Sequence, residues 1–171
     1  MLIFLLSSTA FANPESWATS EAYWLDQFQM SSVSAASHER QLRDPRRDDS
    51  HLARIYLSLA ESQRWAGSSL RQLEGMSEVQ RPLVQLCVEA GNCGNLDSTR
   101  WLEHSLAAAD LALELGLPET QQLVALDVQT RALEALGRIE EAKATNQFAC
   151  SIDPGASTLF GCAEELAPKE R

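Results

Sequence analysis

Residues 50–65 read SHLARIYLSLAESQRW, and the order of apolar positions in this stretch decides the fold class. Leu52, Ile55, Tyr56 and Leu59 fall at i, i+3, i+4 and i+7, a core-facing stripe on a helix of about Ser50–Trp65. A strand would need strict alternation, which is absent here and in the flanking segments. Ala66-Gly67 reads as the stop of this helix, with a shorter helix over Ser68–Glu74.

Working towards the C-terminus, the same period recurs. A helix is expected over about Gln80–Ala90, with Val79, Leu83, Leu86 and Cys87 on one face and Pro82 in its first turn. Asp97 or Ser98 caps a long helix to Leu115, with Leu102, Leu106, Ala109 and Leu113 inward and Gly116-Leu117-Pro118 as its stop. Pro118 opens a helix to Leu136, and Gly137 separates it from a helix over Ile139–Ile152 that ends at Asp153-Pro154-Gly155. A last turn or two is expected over Leu159–Leu166. Working towards the N-terminus, Trp17, Trp24 and Phe28 stripe a helix over Glu15–Met30. Ser31–Ser37 weakens the helical pattern, and HERQLRDPRR at His38–Arg47 reads as a linker. The chain is therefore expected to be all-α, built of stacked helix hairpins.

The first twelve residues, MLIFLLSSTAFA, carry no charge, open on an apolar run and end in Ala10-Phe11-Ala12, the small-x-small pattern of a signal-peptidase site. Cleavage is expected after Ala12, which places the mature protein in the periplasm or outside the cell, with no membrane span. The expected divisions are a signal peptide at 1–12, an N-terminal helix and linker at 13–47, and a helical domain at 48–171. Four cysteines, Cys87, Cys93, Cys150 and Cys162, make an even number that suits an oxidising compartment. Two local bridges, Cys87–Cys93 and Cys150–Cys162, are the simplest of three pairings. Zinc fits poorly, because the intervening lengths do not match the tight knuckles of four-thiolate sites.

The helix pair from Leu123 to Ala156 resembles a tetratricopeptide repeat. Leu126, Leu133, Gly137, Ala142, Ala149 and Asp153-Pro154, with the run ALGRIEEAK at Ala135–Lys143, occupy the large, small and breaker slots of that 34-residue unit. Gln129, Thr130 and Asn146 depart from it. Shifting back by one repeat puts Ala108 over Ala142 and Leu115 over Ala149, but Asn92 and Thr99 stand where large apolar residues are wanted. The resemblance implies a right-handed α-superhelix or short solenoid in which the first helix of each pair lines a groove for a partner peptide. Asp127, Arg131 and Glu134, at i, i+4 and i+7, would then face that groove; a solvated salt pair with one extra acid explains the same spacing.

The chain has 171 residues, 14 Lys or Arg against 24 Asp or Glu, and a formal charge of −10, which argues against binding to nucleic acid. Its histidines are His38, His51 and His104, none in a metal-ligand spacing, and no nucleophile elbow, phosphate loop or dinucleotide fingerprint is present. Asp48, Asp49 and His51 read as a helix start, Glu140-Glu141 and Glu164-Glu165 as solvated helix acids, and the tryptophans mostly as core. No cofactor is expected. The function expected is an exported, non-catalytic interaction module, an adaptor or assembly factor for an envelope protein or complex; self-association stays open. The alternative is a small envelope enzyme or hydrolase accessory whose site assembles from dispersed carboxylates and His104.

Overall fold

The computed structural model describes residues 20–76, 82–89, 91 and 94–153. The expected signal peptide, Trp17, Cys93, Cys162, Glu164-Glu165 and the turn at Leu159–Leu166 lie outside the described residues, as does the side chain of Cys87. Among the described residues there are six α-helices and no strand, as the periodicity requires: α1 (Glu21–Gln41), α2 (Asp49–Glu74), α3 (Pro82–Glu89), α4 (Ser98–Glu114), α5 (Glu119–Ala135) and α6 (Ile139–Ile152). The protein is all-α.

The central element is α2, which packs against α1 on one side and α4 on the other and also touches α5; α5 in turn packs on α4 and α6. The expected stripe is too narrow: Leu52 and Tyr56 are half-buried, while Ala53 and Leu57, outside it, are buried because α2 is covered on more than one side. Ile55 and Leu59 are buried, and Leu59 joins Ala60, Ala35 of α1, Ala108 and Ala109 of α4, and Val128 of α5 in one cluster. Alanines dominate these seams, so helix axes come close and little room is left between them. Asp48 caps α2 by accepting the His51 backbone N–H at 2.8 Å, and Asp97 caps α4 from the Arg100 N–H at 3.0 Å. Asp48 thus caps the helix and Asp49 lies in its first turn, where acids at a helix start are expected.

Two further expectations are corrected. The helix does not stop at Ala66-Gly67: α2 runs unbroken for 26 residues, and Gly67 is buried in its middle. A Cβ at Gly67 would stand 2.7 Å from Cγ of Leu102, itself fully buried, so the glycine marks the close approach of α2 and α4 instead of a helix end. Nor does Ser31–Ser37 interrupt α1. Ala35 is completely buried there, and Ser34 accepts a 3.0 Å hydrogen bond from Ser62 of α2, so tertiary packing overrides weak local propensity. The linker shrinks accordingly to the residues between Gln41 and Asp49.

The N-terminal helix shares its core with the helices that follow the linker. Phe28 is buried with Ala66, Leu70 and Leu73 of α2, and its ring meets that of Trp101 of α4 edge-on at 6.2 Å. Trp24 packs at the same cluster, and the Trp101 indole N–H donates to the Asn95 carbonyl at 2.8 Å. At the other end, α5 closes as a Schellman turn: the Arg138 N–H bonds the Leu133 carbonyl at 2.9 Å, with Gly137 at φ 75°. This is the geometry that only glycine adopts freely, and it turns the chain back into α6.

Candidate functional site

Two surfaces collect polar side chains from several helices. The first lies where α2 meets α1 and α5. On α5, the Arg131 Nε donates to both oxygens of Asp127, at 2.8 and 2.9 Å, so two of the three expected groove residues form one forked pair. Glu134 is exposed one turn further on, and its carboxylate joins no hydrogen bond or ion pair among the described residues.

Facing this pair from α2 is Arg64, which the sequence did not single out. Its guanidinium lies 4.5 Å from the centroid of the Trp65 ring, a cation–π contact with its own neighbour. Burial holds the Arg64 pKa below its ordinary value, the charge of Arg131 pushes the same way, and Asp127 and Glu61 oppose. The Arg64 Nε is buried without a hydrogen-bond partner. On the α1 side of the same stretch, an open cleft of about 380 Å3 is lined by Gln27, Met30, Ser31 and Ser34 of α1 and by Glu61, Ser62 and Trp65 of α2. Met30 is 53% exposed and Trp65 45%, large apolar surfaces left to solvent beside charged ones. Glu61, Arg64 and Trp65 join the cleft to the α5 pair. Trp65 departs from the core role expected of most of the tryptophans.

Glu61, Arg64 and Trp65 had a sequence signal of a kind: they fall off the core stripe of α2 at i, i+3 and i+4. What the sequence lacked was the information that α2 lies beside α5.

The second surface is an open cleft of about 500 Å3 between α4, α5 and α6. Glu103, Asp110, Gln129, Arg138, Glu141 and Thr145 are its polar lining. Burial raises the Asp110 pKa above its ordinary value of 3.8, the charge of Glu114 adds to this, and the Gln129 amide, donating at 2.6 Å, opposes. Arg138 and Glu141 form a forked pair at 2.7 and 2.6 Å. Their hydrogen bonding raises the Arg138 pKa and lowers that of Glu141. His104 is exposed on α4 and does not line this cleft.

The remaining candidates are dispersed. His38 contacts the Ser34 hydroxyl within α1, and His51 contacts Arg47 across the start of α2. Glu140 pairs with Lys143 at 3.0 Å on an exposed surface. Among the described residues no three histidine, cysteine or carboxylate side chains come together as a metal site. Cys150 is half-buried beside Leu126 and Ala149, and among the described residues no cysteine is free. No described helix is long and apolar enough to cross a membrane.

No family model matches the chain, and the searches of curated proteins and of solved structures likewise found no match.

Proposed function

We propose that this protein is an exported, non-catalytic interaction module that binds a peptide or helix of an envelope protein on the face shared by α1, α2 and α5. The observation that carries the reading is the juxtaposition there of half-exposed Met30 and Trp65 with Arg64 and the Asp127–Arg131 pair. Aromatic and arginine side chains are the ones that dominate binding energy at protein interfaces. The tetratricopeptide-like spacing of residues 123–156 supports the same face, because it assigns α5 to the lining of a groove. Export is supported by the uncharged leader ending at Ala12 and by the even cysteine number. Bridges Cys87–Cys93 and Cys150–Cys162 belong to this proposal, and the mature chain begins at Asn13.

The test is affinity capture from an envelope extract, comparing the mature protein with a variant carrying Asp127→Ala, Arg131→Ala and Glu134→Ala. A protein retained by the first and lost by the second supports an adaptor that uses this face. Equal retention by both moves the contact elsewhere, and retention of nothing overturns the reading.

A second reading rests on the cleft between α4, α5 and α6, which Asp110, partly desolvated, lines together with Glu103 and Glu141. In an envelope hydrolase or its accessory these carboxylates would move protons. Hydrolysis of a peptide or glycoside probe that disappears in Asp110→Asn would favour it.

A further inference from the structure

Arg64 is half-buried, with its Nε enclosed and without a hydrogen-bond partner among the described residues. Among the described residues its guanidinium forms no hydrogen bond and no ion pair. Partial removal of a charge from water is costly, and a hydrogen-bonding anion offsets that cost. Two carboxylates are near enough to act on it through space. Asp127 is already gripped by both of its oxygens in the fork with Arg131. Glu61 stands one turn before Arg64 on the exposed side of α2 and makes no ion pair among the described residues. The Trp65 ring covers the guanidinium at 4.5 Å from its centroid and satisfies none of its N–H donors. Immediately beside it, Met30 and Trp65 bound the cleft between α1 and α2 and offer apolar contact.

We infer that the face shared by α1, α2 and α5 recognises a partner segment carrying an acidic side chain next to an apolar one, with the carboxylate on Arg64 and the apolar side chain between Met30 and Trp65. This deepens the interaction-module reading and rests on it. The choice of an acidic segment follows from charge complementarity at Arg64 and runs against the overall field, because the chain as a whole carries −10. That opposition gives the site a signature. Far-field repulsion between two acidic molecules is screened by salt, whereas a desolvated contact is screened much less. Affinity for an acidic segment therefore holds or tightens when ionic strength rises from about 0.01 M, where the Debye length is about 30 Å, to about 0.15 M, where it is about 8 Å. Attraction between exposed charges would weaken over the same range.

The experiment uses the mature protein, labelled, on an array of short amidated peptides in which Leu or Phe neighbours Glu, Gln or Lys. Glu peptides should be retained about tenfold more strongly than their Gln counterparts, the scale of one charge-assisted contact. Arg64→Gln should remove that preference, and Arg64→Lys should restore part of it. Glu61→Gln, a change at an exposed position, should strengthen retention of Glu peptides by removing a like charge, and it provides a readout independent of any effect of Arg64 on folding. Equal retention of Glu and Gln peptides, or a preference that survives Arg64→Gln, overturns the inference. If retention is indifferent to charge but falls with Trp65→Ala, the inference fails while the binding face stands. Retention of no peptide overturns the inference, and capture from the envelope extract then decides the broader reading by itself.

Discussion

Gly67 of α2 meets Leu102 of α4 so closely that a Cβ on the glycine would stand 2.7 Å from the Leu102 Cγ and 3.0 Å from its Cδ2. In an isolated helix an alanine would be worth about 1 kcal/mol over glycine. Here the sign reverses, because the added carbon meets a fully buried side chain that cannot retreat.

Gly67→Ala should destabilise the fold by about 1–3 kcal/mol. Leu102→Ala should cost about 2–5 kcal/mol through the cavity it leaves. Combined, the two should cost less than their sum by at least about 0.5 kcal/mol, since the methyl group enters the space that leucine vacates. Urea unfolding of the four proteins measures this coupling. Strict additivity would mean that Gly67 is required for some reason other than Leu102.

The same contact explains how much of the fold was legible in the sequence. The bounds of α6 are those the sequence predicts, Ile139–Ile152, because Gly137 and Asp153-Pro154 are local signals. Gly67 is identical in letter to a helix stop, and only the position of Leu102 on another helix shows otherwise. Ser31–Ser37 misleads for the reverse reason: weak propensity is outweighed by the burial of Ala35 and by the Ser62–Ser34 hydrogen bond. The binding face divides along the same line. Asp127 and Arg131 are one helical turn apart on α5, so their pairing could be read from spacing. Arg64 joins them only because α2 and α5 lie side by side, a relationship that periodicity does not carry.

Ser105 of α4 is completely buried and donates a 2.7 Å hydrogen bond to the Ala60 carbonyl of α2. Ser105→Ala should cost about 0.5–1.5 kcal/mol, the net worth of one such bond. Ser32, whose hydroxyl bonds the Gln29 carbonyl of its own helix, serves as the control. Ser32→Ala should change stability by less than about 0.5 kcal/mol. Equal effects in thermal unfolding would show that the bond between α4 and α2 contributes nothing beyond local helix preference.

Asp110 gives stability a pH dependence of defined sign. Burial and the charge of Glu114 raise its folded pKa above 3.8, so the folded state holds this proton more tightly than the unfolded chain does. Its ionised form is therefore destabilising at neutral pH. The penalty disappears as pH falls through the raised value and below 3.8. Asp110→Asn removes the charge and keeps an acceptor for Gln129. It should be the more stable protein at neutral pH, by a few tenths of a kcal/mol at this partly exposed position, and the gap should close in acid. Urea midpoints across that pH range decide the matter; a gap that widens in acid would reverse the sign assigned to Asp110.

The Asp127–Arg131 pair separates binding from stability. It is an exposed i, i+4 pair, so Arg131→Ala should cost no more than about 0.5 kcal/mol. Two compensations act on Arg64: a repelling cation is removed, and Asp127 is released from its fork. Asp127→Ala has the opposite consequence, leaving the repulsion between Arg64 and Arg131 without the carboxylate that offsets it. It should therefore destabilise the fold more than Arg131→Ala, although both remove the same two hydrogen bonds. Urea unfolding of the two variants at low ionic strength shows the difference most clearly, and salt should narrow it. If Arg131→Ala instead cost more than about 2 kcal/mol, the pair would be a structural tie, and loss of a partner in its variants would no longer locate a binding face.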